Sequence, residues 1–144
     1  MSLQPPLSII QKSVMRCVPE LGLAAGAAVL DAPCGEGALT HALAGAGFRV
    51  HSADLEPPSI PVPGEFRAAD FNRPLPWPDG SFDAVFSIEG IEHLENRFLF
   101  LREVRRILKP GGWQALTTPN TVALRSRMRF FGSGFYHRDS RPLN

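Results

Sequence analysis

Residues Val29 to Gly37 read VLDAPCGEG, a short apolar run that ends in an acid and breaks into a cysteine-glycine turn. Ala28 to Asp31 is too uniformly apolar for a sheet with one wet face, so it reads as a strand buried on both sides. Arg49 to Ala53 is a second strand, and Asp54 follows it directly. A buried strand, a tight turn under a helix and a second strand ending in a carboxylate together suit a nucleoside cofactor. Its charged tail needs close backbone, and its ribose hydroxyls need an acceptor.

The rest of the chain supports a parallel sheet. Ser8 to Leu21 spaces Ile9, Ile10, Val14, Val18 and Leu21 helically, with Ser8 as N-cap. Ala38 to Ala46 reads as a helix stopped by Gly47. Phe66 to Ala69 is a third strand and Ser81 to Ser87, rich in aromatic and branched residues, a fourth. Arg97 to Leu108 is a helix with Phe98, Leu101, Val104, Arg105 and Leu108 inward and Arg102, Glu103 and Arg106 outward. Pro110-Gly111-Gly112 ends that helix, and Trp113 to Thr118 is a fifth strand. Alternating strands and helices with short connections predict an α/β, Rossmann-like, doubly wound, mainly parallel sheet.

The 144 residues suit one domain, residues 1–144. Residues 1–120 form its core and residues 121–144 a basic, aromatic tail. The content of 44% hydrophobic and 20% charged residues is that of a globular protein, and a net charge of +1 gives no general pull toward nucleic acid or anionic membrane. No apolar stretch approaches the ~20 residues of a spanning helix. Without a secretion-type leader, and with only Cys17 and Cys34, the expected setting is the reducing cytoplasm. Prolines gather at Pro57, Pro58, Pro61 and Pro63 and again at Pro74, Pro76 and Pro78, marking two stiff loops.

A dinucleotide fingerprint wants a third glycine three residues after Gly37, but that position holds Thr40. This counts against a nicotinamide or flavin enzyme. The ordered set VLDAPCGEG, VHSADLEP, RAADFNRPLPWPDGSFDAVFSIEGIEHLEN and LREVRRILKPGGWQALTTPN, from Val29 to Asn120, instead resembles the class I S-adenosylmethionine-dependent methyltransferases, in particular their small-molecule group.

The resemblance implies strand order 3-2-1-4-5, helices on both faces, and S-adenosyl-L-methionine as cofactor. It implies that Asp31, Ala32, Pro33, Gly35 and Gly37 cradle the methionine end, and that Asp54 binds the ribose hydroxyls beside Leu55 at the adenine. Asp70 would take the adenine amino group, with the Phe71 backbone at the ring edge, and Ser87 to Glu89 would line the methyl-donor centre. Pro33 departs from the glycine usual there.

The Glu89-Gly-Ile-Glu-His93 string offers His93 as a general base, or as a residue that only faces the acceptor. An alternative is a divalent metal held by Glu89, Glu92 and His93, as in similar strings of ubiquinone-pathway O-methyltransferases. Ser-Ile-Glu-Gly after the fourth strand is not the motif of base N-methyltransferases, which argues against nucleic acid. The expected partner is a small-molecule methyl acceptor, methylated on O or N. The sixth and seventh strands of the family are not evident after Thr121. Two further expectations follow: self-association through an open sheet edge, and, as the rival function, a catalytically incomplete cofactor-binding or interaction module.

Overall fold

The computed structural model describes residues 4–119; the tail from Thr121 onward and Asn120 lie outside them. Five strands, β1 (Ala28–Asp31), β2 (Arg49–Asp54), β3 (Glu65–Ala68), β4 (Phe82–Ile88) and β5 (Leu108–Thr117), form one sheet in the order β3-β2-β1-β4-β5. Every pairing is parallel. All four residues of β1 are buried, as its apolar composition requires. Among the described residues β5 pairs with β4 alone.

Side chains alternate along the strands and sort the core onto two faces. Ala28 and Leu30 of β1 meet Val85 and the helix α3 (Arg97–Ile107) through Phe100, Val104 and Ile107. Val29 joins Val50, Ala84, Phe86 and Ile88 against Leu39 and Leu43 of α2 (Ala38–Gly45). Burying each of the three α3 anchors contributes roughly 1.5–3 kcal/mol. The stripe differs from the expected one: Phe98 is 77% exposed, and the inward set is Phe100, Val104 and Ile107. Both sets share Val104; the observed one sets three large residues against the sheet.

The first helix, α1 (Ile9–Cys17), starts at Ser8, whose hydroxyl accepts from the Gln11 amide while Gln11 reaches back to the Ser8 amide. It tightens into a 3-10 segment, Val18–Leu21, where Pro19 stands, so one long helix to Leu21 is not formed. Pro110-Gly111-Gly112 bounds the helix as expected: the helix ends at Ile107, since Lys109 precedes a proline and is disfavoured from helical backbone. The three residues lie inside β5, where the register slips between Phe82 and Ala84. A Cβ on Gly112 would sit 2.9 Å from the Lys109 carbonyl oxygen, which explains the glycine.

The second proline loop is fastened to α3 by Arg106, which is more than a wet-face residue. Its guanidinium donates to the Leu75 and Trp77 carbonyls, to Asp79 at 2.8 Å and to Glu103 at 2.7 Å. Glu103 in turn accepts from the Leu75 amide. Trp77 is buried beneath, with Arg67 over its ring. Arg106→Ala should therefore cost about 2 kcal/mol in urea unfolding, since two carbonyls and two carboxylates lose their donor. Arg106→Lys should recover less than half of that, because an ammonium lacks the fork.

Candidate functional site

The order of the strands reverses beside β1, which has β2 on one side and β4 on the other. A crevice at the carboxyl ends of the strands belongs there. Asp31 ends β1 and is 1% exposed, and the Thr40 hydroxyl donates to it at 2.7 Å. Burial pushes the Asp31 carboxyl up to about 7; the hydrogen bonds from Thr40 oppose this, and the nearby charge of Asp54 adds to it. The Ala32 amide bonds the Phe86 carbonyl and the Cys34 amide the Ala53 carbonyl, both at 2.9 Å. The turn is thus stitched to β4 and β2 at once. Burial also pushes the Cys34 thiol up to about 12, so this cysteine is unreactive.

Gly35 and Gly37 have left-handed φ of +53° and +80°. A Cβ on Gly35 would meet only open space, so the backbone there is accessible to a ligand. At Gly37 it would collide with the Val62 side chain. Gly37 is thus required by its φ and by the packing of the first proline loop. Ser59 of that loop donates to Glu36. The Ala32–Pro33 bond is cis, and the Pro33 ring fills the space a Cβ would need at Gly90. The residue that departs from the expected glycine therefore packs the turn against the segment after β4.

Asp54 ends β2. One of its oxygens accepts from the Gly35 amide at 2.8 Å and the other from the Leu55 amide at 2.8 Å. Leu55 is 63% exposed beside it. Asp70, after β3, accepts from the Asn72 amide at 2.9 Å and lies 3.3 Å from Arg73. The Phe71 ring is buried edge-on against Phe100, which leaves only its backbone for the crevice.

On the β4 side, Ser87 is fully buried and its hydroxyl has no partner. Glu89 is held at φ +54°, a conformation costly for a residue with a Cβ. Its amide donates to both oxygens of Thr117 in β5. One 3-10 turn, Ile91–His93, follows. His93 is exposed, with Nε2 3.9 Å from Glu92. Among the described residues no three His, Cys, Asp or Glu side chains are gathered so as to hold a metal ion. Glu89 lies outside the single turn that carries Glu92 and His93, so no common helix face exists.

Sequence reasoning missed Thr40, read only as an absent glycine, and Asn72 and Thr117. A hydroxyl in the first turn of the helix after a buried acid was the available signal for Thr40. Nothing in sequence marked the other two, whose partners lie 23 or more residues away.

The methyltransferase domain family matches residues 30–116. The chain belongs to that family. A Mycolicibacterium smegmatis protein bearing the name of an S-adenosylmethionine-dependent methyltransferase is 33% identical over 119 residues, 79% of this chain and 44% of the relative. The ubiquinone biosynthesis O-methyltransferase of Xanthomonas oryzae is 32% identical over 124 residues, 79% of this chain and 52% of that one. The chain thus spans about half the length of the curated relatives it matches. The 1,6-didemethyltoxoflavin-N1-methyltransferase of Burkholderia thailandensis, solved with S-adenosylhomocysteine, shares the fold, with a TM-score of 0.62 and 22% identity over 73% of this chain and 50% of that one.

In this methyltransferase domain Asp31 carries a pH signature. Unfolded, its carboxyl ionises near 3.8; folded, near 7. Between those values the native chain keeps a proton the unfolded chain has released, so this group makes stability fall as pH rises. Asp31→Asn should remove that slope: the melting temperature of the parent, relative to the variant, should decline from pH 4.5 to pH 7.5 in calorimetric scans.

Proposed function

We propose that this domain binds S-adenosyl-L-methionine and transfers its methyl group to an O or N atom of a small molecule. The observation that carries the reading is the pair formed by Gly35 and Asp54: an open glycine backbone hydrogen-bonded to a carboxylate at the end of the next strand. The residues around it fit the cofactor. Asp54 would take the ribose hydroxyls and the exposed Leu55 would lie on the adenine. Asp70 and the Phe71 backbone would meet the adenine edge, and the turn from Asp31 through Ala32, Pro33 and Gly35 would face the methionine end. The unpartnered Ser87 hydroxyl and Glu89 would border the donor centre. When bound there, S-adenosylmethionine supplies an electrophilic methyl group.

In-line transfer from a sulfonium needs alignment and charge complementarity more than a covalent nucleophile. The acceptor must lose a proton, and His93 is the candidate base, exposed on the segment that follows the donor centre. The ubiquinone-pathway relative favours a phenolic hydroxyl as acceptor. The reading puts the reaction in the cytoplasm, with the free thiols of Cys17 and Cys34 suiting a reducing compartment. Among the described residues no helix is long and apolar enough to cross a membrane.

The rival reading is a module that holds cofactor without turnover. Two measurements separate them. Asp54→Ala should weaken S-adenosylhomocysteine binding about 10- to 100-fold by calorimetry, the loss of hydrogen bonds to a charged acceptor. A parent chain that binds nothing would sink the donor-site reading. With labelled S-adenosylmethionine and a panel of catechols and phenols, His93→Gln should lower kcat by about 100-fold or more at unchanged cofactor affinity. Cofactor binding without transfer to any acceptor would favour the rival.

A further inference from the structure

The loop after β3 and the segment between β4 and α3 both lie at the carboxyl ends of their strands, and one side chain joins them. The Asn72 side-chain oxygen accepts from the Glu95 amide at 2.9 Å and from the Asn96 amide at 3.0 Å. Asn96 is the N-cap of α3, its own side chain accepting from the Leu99 amide at 3.0 Å. Amides at a helix start have no partner within the helix, so a second acceptor placed there fixes where the helix begins. Asn72 supplies that acceptor from a different loop.

The other end of the link is Asp70. The Asn72 amide donates to Asp70 at 2.9 Å, and the Arg73 amide bonds the Asp70 carbonyl at 3.0 Å. Between them, Phe71 anchors the tripeptide by packing on Phe100 of α3 with ring centres 5.6 Å apart. Asp70, Asn72 and residues 95–96 therefore form one hydrogen-bonded chain, running from the carboxylate assigned to the adenine to the segment that carries Glu92 and His93. The backbone from Gly90 to Leu94 is held by its own one-turn bonds and by Arg97, whose guanidinium donates to the Glu92 carbonyl at 3.3 Å; the bonds from Asn72 fasten the residues that follow, Glu95 and Asn96.

We propose that Asn72 is a positioning residue: it couples occupation of the adenine side by cofactor to ordering of the acceptor-side segment, residues 91–96. This rests on the donor-site reading above. Binding that steadies Asp70 steadies the Asn72 oxygen, and through it the two amides and the start of α3. Asp is the conservative replacement, since it keeps an acceptor oxygen and its charge suits a helix N-terminus.

The test is amide hydrogen exchange on the full 144-residue chain, with and without S-adenosylhomocysteine, for the parent, Asn72→Ala and Asn72→Asp. In the parent, the ligand should slow exchange at Gly35, Leu55, Glu95 and Asn96. Asn72→Ala should keep the slowing at Gly35 and Leu55 yet lose it at Glu95 and Asn96, whose exchange quickens about tenfold. Asn72→Asp should restore it. Ligand-dependent slowing at Glu95 and Asn96 that persists in Asn72→Ala overturns the coupling, as does failure of Asn72→Asp to restore it in a chain that still binds. Absence of slowing at Gly35 and Leu55 in the parent overturns the donor-site reading itself, and this inference with it. Should Asn72→Ala fail to fold, the Asn72→Asp and Asn72→Ser pair decides, since serine retains an oxygen too short to reach both amides; equal slowing in the two overturns the coupling.

Discussion

The hydrogen bond from the Gly35 amide to Asp54 joins the two strand ends on which the site depends. β1 is buried on both faces, so its chain can leave only at the carboxyl end and must turn there at once. Three amides of the turn are bonded to the neighbouring strands. The turn gives one to β4 at Phe86, one to β2 at Ala53 and one to the Asp54 carboxylate. Each bond requires the neighbouring strands to be in register, so the turn's shape is a consequence of the sheet and not an independent loop preference.

That constraint sets the chemistry of the crevice. Strand ends that converge on one turn bring the Asp54 charge near Asp31, where it adds to burial in raising the cost of ionising that carboxyl. Asp31 is buried, and the Thr40 hydroxyl donates to it. Asp54 keeps two backbone amides and partial exposure. Two acids from adjacent strands thus differ in character because one is enclosed by α2 and the other stands at the rim. A positive charge near Asp31 would ease its ionisation, since it offsets the cost of burying the carboxylate.

The parallel sheet, its five strands and the turn were legible in sequence because they rest on local signals, uniform apolar runs, glycine breaks and alternation, whereas the strand order came from the family resemblance. Strand ends shifted by a residue or two at β2 through β4. Larger departures came where a long-range partner won. Pro110-Gly111-Gly112 reads as a stop, but pairing with β4 draws it into the sheet as a bulge. Phe98 fits an apolar stripe, but the sheet selects Phe100, Val104 and Ile107. Of the site residues, acids at strand ends were visible, since a strand followed by a carboxylate is a short pattern. Thr40 and Asn72 were not, because their value lies in what they touch across the fold.

The same distinction explains Pro33. Read along the chain, a proline in a glycine turn subtracts a donor and freedom of φ. Across the fold it contributes volume, for its ring occupies the space left by Gly90 and so abuts the start of the segment bearing Glu92 and His93. Glu89 just before it is held left-handed by Thr117 of β5. The turn after β1, β4 and β5 therefore meet at Glu89 and Gly90, where a side chain on Gly90 would have to displace the proline. A turn altered at Pro33 and a segment altered at Gly90 are two halves of one contact, and a change in either has to be accommodated by the other.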